Sequence, residues 1–130
     1  MNTTRLIAAI ALLVFANVAQ ADDPDCAKGQ NFVLVAFADE EIAVSTAAKS
    51  LTLATYNPAN ATNASMALIT VDLADVRMRF SGSAATTDAG HVVADGSSVK
   101  VCTAELPLVS MIRDGGTDAE VTVTYWRAPI

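Results

Sequence analysis

The chain has 130 residues, a formal net charge of -6 and a hydrophobic content of 52%. Phosphate binding needs clustered Lys and Arg, and the three lysines are spread along the chain, so nucleic acid is excluded as a predicted partner. A chain of this length fits one domain with one hydrophobic core.

The first 21 residues have the arrangement of a secretion signal. Arg5 supplies a single positive charge, residues 6–19 are predominantly apolar, and a small-x-small site ends at Ala21. The apolar run is shorter than the ~20 residues needed to cross a bilayer. We therefore predict cleavage after Ala21, export to the periplasm or the extracellular space, and a mature domain over residues 22–130 without a stable membrane span. An uncleaved anchor or a buried helix is the alternative.

Two cysteines, Cys26 and Cys102, lie in the predicted mature part. In an oxidising compartment they are expected to form a disulfide bond. The loop that this bond closes is long enough for the chain-entropy estimate to reach ~4 kcal/mol. The alternative is two buried thiols in a cytosolic protein. Neither a CxxC spacing nor a His-rich segment supports a zinc site, and no cofactor is predicted.

Apolar runs predict about eight short strands at roughly ten-residue spacing. Residues 31–37 are nearly all apolar and predict a first strand at a central position of a sheet. A charged, solvated turn is expected at residues 39–41, followed by a short strand or irregular link at 42–44. The remaining predicted strands cover residues 49–55, 67–73, 76–80, 91–94, 98–103, 105–113 and 119–126.

The clearest period of two lies in residues 67–80, ALITVDLADVRMRF, where two alternating runs are joined by a tight turn. Residues 56–65 and 81–90 are rich in Asn, Gly and small side chains and predict two long loops. No segment after the leader shows a helical period. The predicted fold class is therefore all-β, an antiparallel β-sandwich or jelly-roll-like sheet pair, preceded by an N-terminal hydrophobic leader helix.

Four residues are predicted to bind a partner. Arg77 and Arg79 share the outward face of the second alternating run, and Arg113 ends a later strand. Adjacent cations on one face need either acids across the sheet or a partner that supplies anions, and both interpretations stay open. Trp126 alternates away from the apolar face of the last strand, so it either covers the outer face or docks a neighbouring subunit.

No catalytic constellation is predicted, and the chain is not expected to be an enzyme. The sequence places no nucleophile or carboxylate within reach of His91, the single histidine. Asp22, Asp23 and Asp25 supply oxygen atoms of the kind that hard cations prefer. Pro24 interrupts their spacing, and a solvated flank after a cleavage site is the simpler interpretation.

Several motifs in the second half form a pattern: VRMRF followed by Gly82, a small-residue loop to Gly90, a turn at Gly96, and MIRDGGTDAEVTVTYW. This pattern, over about residues 45–127, resembles small accessory proteins of tailed-phage and prophage structural modules. The resemblance implies a non-catalytic β-sandwich, often oligomeric, that acts as a virion decoration or adaptor protein on a capsid, tail or fibre surface.

The leader and the cysteine pair depart from the pattern of those virion proteins. Tailed virions assemble in the cytoplasm, where neither an export signal nor a disulfide bond is expected. The alternative prediction is an exported bacterial protein of the periplasm or cell surface, stapled by one disulfide, that binds a ligand or a protein partner.

Overall fold

The computed structural model describes residue 26 and residues 33–59 and 61–129, and the predicted leader lies outside these residues. The described part contains a helical turn, α1 (Leu53–Tyr56), and a 3₁₀ turn (Leu106–Leu108). It contains seven strands: β1 (Val35–Val44), β2 (Met66–Asp72), β3 (Val76–Arg79), β4 (His91–Val93), β5 (Ser98–Cys102), β6 (Ser110–Arg113) and β7 (Ala119–Arg127).

The strands form two antiparallel sheets. The four-stranded sheet has the order β1-β7-β2-β5, and the three-stranded sheet has the order β4-β3-β6. The chain passes from one sheet to the other after β2, β4, β5 and β6, so the tight turn within residues 67–80 joins two sheets and does not close a hairpin. The predicted all-β fold with two packed antiparallel sheets is confirmed.

The inner faces of the two sheets close over one core. Along β7, buried residues alternate with half-buried ones, as the period of two predicts. β2 and β3 show the same alternation. The largest fully buried side chains include Tyr125, Ile69, Met78, Leu106, Met111, Val71, Val76, Val121 and Val123.

The predictions for the first strand were wrong in position and extent. β1 lies at an edge of the four-stranded sheet and runs through the expected charged turn to Val44. The strand continues because its alternation sends Asp39 and Glu41 outward and brings Glu40 inward. There the Tyr125 hydroxyl donates a hydrogen bond to Glu40 Oε1, and the backbone N–H of Thr52 donates another.

The strand predicted over residues 49–55 is also absent. Lys49 makes an isolated bridge to Met111, and the chain then turns into α1. Leu51, before α1, and Tyr56, at its end, are buried, whereas Leu53 is exposed. A strand would have placed Leu51 and Leu53 on the same face. The described part of the two sheets therefore holds seven strands.

The strand predicted over residues 105–113 begins late. The Leu106–Leu108 segment forms the 3₁₀ turn, with Pro107 near its start, and β6 begins at Ser110. Proline has no N–H to give to a strand ladder, whereas its fixed φ suits the first turn of a helix.

Tyr125 is fully buried. Burial raises the pKa of its phenol well above the ordinary value, and the hydrogen bond and negative charge of Glu40 raise it further. The protonated phenol is therefore the form that the folded chain stabilises.

This raised pKa predicts a loss of stability in alkali. Above about pH 10 the unfolded chain releases the phenol proton and the folded chain keeps it, so the free energy of unfolding should fall as the pH rises. Urea unfolding from pH 8 to 11 measures this slope. Tyr125→Phe should flatten it, at a loss of about 1 kcal/mol at neutral pH. An equal pH dependence of the free energy of unfolding in the wild type and in Tyr125→Phe would show that Tyr125 is not its source.

Leu73 is the one non-glycine residue of the described chain with a positive φ, +74°. It lies in the turn between β2 and β3, and its side chain is 68% exposed. The left-handed conformation crowds Cβ against the backbone and is unfavourable for a bulky residue. An exposed side chain gains little from packing that could offset this strain.

Replacing Leu73 with Gly should therefore raise the free energy of unfolding by about 0.5–1 kcal/mol. The substitution removes about 1–2 kcal/mol of left-handed strain and adds about 0.5–1 kcal/mol of backbone entropy to the unfolded chain. Urea unfolding measures the difference. Leu53→Gly is the matched control, because Leu53 is 60% exposed but lies in α1, where glycine should destabilise.

Candidate functional site

The outer face of the three-stranded sheet carries Arg77 and Arg79 on β3. Residues 81–90 fold back against this face and form a packed loop. The backbone N–H of Ala85 donates to Ser110 Oγ at 2.9 Å, and Ala85 is only 2% exposed. Ser110 is the register partner of Arg79 on β6, so the loop lies beside the arginine surface.

Gly90 is required where this loop returns to the sheet. Its φ is +138°, and a Cβ at this position would lie 2.9 Å from the backbone oxygen of Met78. No other residue fits so close to β3 without moving the backbone. The Gly90 carbonyl in turn accepts a hydrogen bond from Arg77 Nη1 at 3.4 Å.

Two of the predicted partner-binding arginines have acidic partners within the chain. Arg77 Nε donates to Asp114 Oδ1 at 2.8 Å, and both side chains are about a quarter exposed. Arg113 Nη1 donates to Asp118 Oδ1 at 2.6 Å. For these two residues the structure agrees with the interpretation that acids from the same chain balance the cations.

Arg79 differs from them. Its Nη1 donates one hydrogen bond of 3.3 Å to the Ala84 carbonyl, and it has no ion pair with any described residue. Arg127, by contrast, already has a partner, because its guanidinium lies 4.5 Å from the centre of the Phe37 ring in a cation–π contact. Because a guanidinium has five N–H donors, Arg79 retains most of its capacity to bind an anionic group.

An open cleft adjoins Arg79. It has a volume of about 460 Å³ and is lined by Arg79, Phe80, Ser81, Ala89, Gly90 and His91. The cleft forms because β3 and β4 pair only as far as Met78 and His91, and the two segments then separate. The ring centres of Phe80 and His91 are 6.3 Å apart. The cleft thus combines an aromatic ring, small residues, a cation and an imidazole.

Sequence reasoning missed this cleft. The sequence predicts that one strand ends at Phe80 and that another begins at His91, and the pattern gives no sign that the two side chains come together. The adjacent Gly90 was the available signal, because a glycine beside a short strand often marks a close approach of two backbone segments.

Trp126 lies on a different surface from the arginines. It belongs to β7, and its register partners are Ala36 on β1 and Met66 on β2, on the outer face of the four-stranded sheet. The residue is partly buried, and its Nε1 is buried without a hydrogen-bond partner among the described residues. The four predicted partner-binding residues therefore do not form one site.

The predicted cysteine pair lies at the distance of a disulfide bond. The Sγ atoms of Cys26 and Cys102 are 2.08 Å apart, and their Cα atoms are 5.0 Å apart. Cys102 ends β5, an edge strand, whereas β1, which follows Cys26 in the chain, is at the opposite edge of the same sheet. The two edges are three strand spacings apart, which is ~14 Å. The cysteine pair therefore joins a residue that precedes one edge strand to a residue in the other edge strand.

No group of three or more His, Cys, Asp or Glu side chains in the described part of the chain is arranged to hold a metal ion. No helix within it is both long and apolar enough to span a membrane.

Comparison with known proteins adds no family. Neither a protein-family model, nor a curated protein, nor a solved structure matches the chain. The resemblance to virion accessory proteins therefore stays a prediction.

The different surroundings of the two β3 arginines predict different effects on stability. Arg77→Ala should lower the free energy of unfolding by about 1 kcal/mol, because it leaves the half-buried Asp114 without its partner. Arg79→Ala should change it by less than about 0.5 kcal/mol. A double-mutant cycle with Asp114→Ala checks the assignment, since it should find coupling with Arg77 and none with Arg79.

Proposed function

We propose that this protein is an exported, non-enzymatic β-sandwich that works by presenting a surface to a protein partner in the periplasm or at the cell surface. The observation that carries the proposal is the disulfide pairing of Cys26 with Cys102. Such bonds persist in oxidising compartments and are rare in the reducing cytoplasm. The pairing favours the same location as the predicted leader.

The disulfide also has a clear structural role in an exported domain. It ties the start of the mature chain to β5 across 76 positions of sequence, which corresponds to a stabilisation of about 4 kcal/mol in the chain-entropy picture. Small exported domains commonly depend on such a bond, because their cores alone supply limited stability.

The surface around Arg79 is the one that we propose for partner binding. The packed loop of residues 81–90 holds this surface in place through Ala85 and Ser110. A surface that is already ordered loses little conformational entropy when it binds. Arg79 supplies a cation that no described acidic residue neutralises, whereas Arg77 and Arg113 are paired with Asp114 and Asp118.

A virion decoration or adaptor role on a capsid or tail is the alternative proposal. The two-sheet fold and the surface-presenting role suit it equally well. The disulfide pairing weighs against it, because a virion that assembles in the cytoplasm gives the two cysteines no oxidising environment.

Intact-mass measurement of the protein from its natural source tests the location. Export predicts a chain that begins at Asp22 and is two hydrogens lighter than the fully reduced chain. Reduction should restore these two hydrogens. An intact chain that begins at Met1 with two free thiols would overturn export and favour the virion role.

A Cys26→Ser variant expressed in the same source separates the two parts of this result. It should still begin at Asp22, but reduction should leave its mass unchanged. A variant that retains the leader would show that cleavage after Ala21 depends on the disulfide bond. This result would contradict our expectation that the leader is cleaved independently of the bond.

A further inference from the structure

The turn between β2 and β3 presents an unusual feature for a solvent-facing surface. Leu73 is 68% exposed and adopts a left-handed conformation that a glycine would adopt without strain. Strain that the fold does not require is concentrated at functional sites in proteins. The side chain of Leu73 is therefore a candidate anchor for a protein contact.

The charge around Leu73 is negative. Asp72 and Asp75 are both exposed, and Glu120 is the register partner of Asp72 on β7. The Asp75 carboxylate accepts a hydrogen bond from the backbone N–H of Asp95 at 2.9 Å, which holds the turn against the β4–β5 connection. We refer to Asp72, Leu73 and Asp75 as the acidic knob.

The cleft at Arg79 has the complementary properties. It offers the ring of Phe80 and the small residue Ala89 to an apolar side chain, and its cation, Arg79, forms no ion pair within the described part of the chain. Its volume of about 460 Å³ lies in the range of binding pockets and is ample for a leucine side chain. His91, on its wall, is exposed and can donate a further hydrogen bond to a carboxylate.

The acidic knob and the cleft lie at opposite ends of the sandwich. β3 begins three residues after Leu73 and ends at Arg79, where the cleft starts. The knob of one molecule therefore cannot reach its own cleft, but it can reach the cleft of a second molecule. A contact of this kind uses two different surfaces and repeats from copy to copy.

We propose that the protein assembles head to tail, with the acidic knob of one copy seated in the Arg79 cleft of the next. Leu73 packs against Phe80, and the carboxylates of Asp72 and Asp75 face Arg79 and His91. Apolar anchors surrounded by matched charges are typical of protein interfaces. The left-handed turn projects the anchoring side chain away from the sandwich.

This proposal names a second copy of the chain as a partner for the surface-presenting role. It holds in either compartment, so its failure would leave the export proposal standing. The mass measurement that tests export is likewise independent of assembly.

Size-exclusion chromatography with light scattering on the purified, disulfide-bonded protein tests the contact, from micromolar to millimolar concentration. The wild-type mass should rise with concentration beyond that of a dimer. Leu73→Gly and Arg79→Glu should each remain monomeric. The melting temperature of Leu73→Gly should rise by roughly 2–5 °C, so loss of assembly cannot result from unfolding.

Two matched controls accompany these variants. Leu53→Ser removes a leucine of similar exposure, and Lys49→Glu makes the same charge reversal on an exposed residue that belongs neither to the acidic knob nor to the lining of the cleft. Both should assemble like the wild type. A loss of assembly in either control would assign the association to general hydrophobicity or net charge and overturn the specific contact.

An equimolar mixture of the two monomeric variants provides the decisive measurement. Leu73→Gly keeps an intact cleft and Arg79→Glu keeps an intact knob, so the mixture should form a heterodimer and stop at two copies. A mixture that stays monomeric would overturn the pairing of knob with cleft. A wild-type mass that stays monomeric at every concentration, or stops at a closed dimer, would overturn head-to-tail assembly.

Discussion

The fold depends on the burial of one face of β7. This strand pairs along most of its length with β1 on one side and with β2 on the other. Its inward side chains, among them Val121, Val123 and Tyr125, are fully buried. A strand paired on both sides satisfies its backbone groups within the sheet, so its apolar face can be buried at little electrostatic expense. The three-stranded sheet then covers that face.

The two edge strands of the four-stranded sheet, β1 and β5, each carry a side chain that links the strand to another part of the chain. β1 has one paired side, and Glu40 turns inward at that edge to accept hydrogen bonds from Tyr125 and Thr52. β5, at the other edge, carries Cys102 and its bond to Cys26. Each edge of the four-stranded sheet is thus tied to another part of the chain by a side chain.

The two ends of the sandwich carry different charged residues. The end that carries the β2–β3 turn presents Asp72, Asp75 and Asp118, and it contains the acids that neutralise Arg77 and Arg113. The opposite end carries Arg79, which forms no ion pair with any residue that the structure describes. A molecule with unlike ends is suited to contacts in which one end meets the other, and like ends repel each other.

Much of the local structure could be predicted from the sequence, because the period of two in residues 67–80 and 119–126 determines which side chains are buried in any sheet that these segments join. The sequence alone could not determine which strands are neighbours, since strand order depends on contacts between distant segments. Tertiary structure decided that Asp114 neutralises Arg77, that Glu40 is a partly buried acceptor, and that Phe80 and His91 share a cleft. Each of these outcomes brings together residues whose separation along the chain leaves no periodic signal.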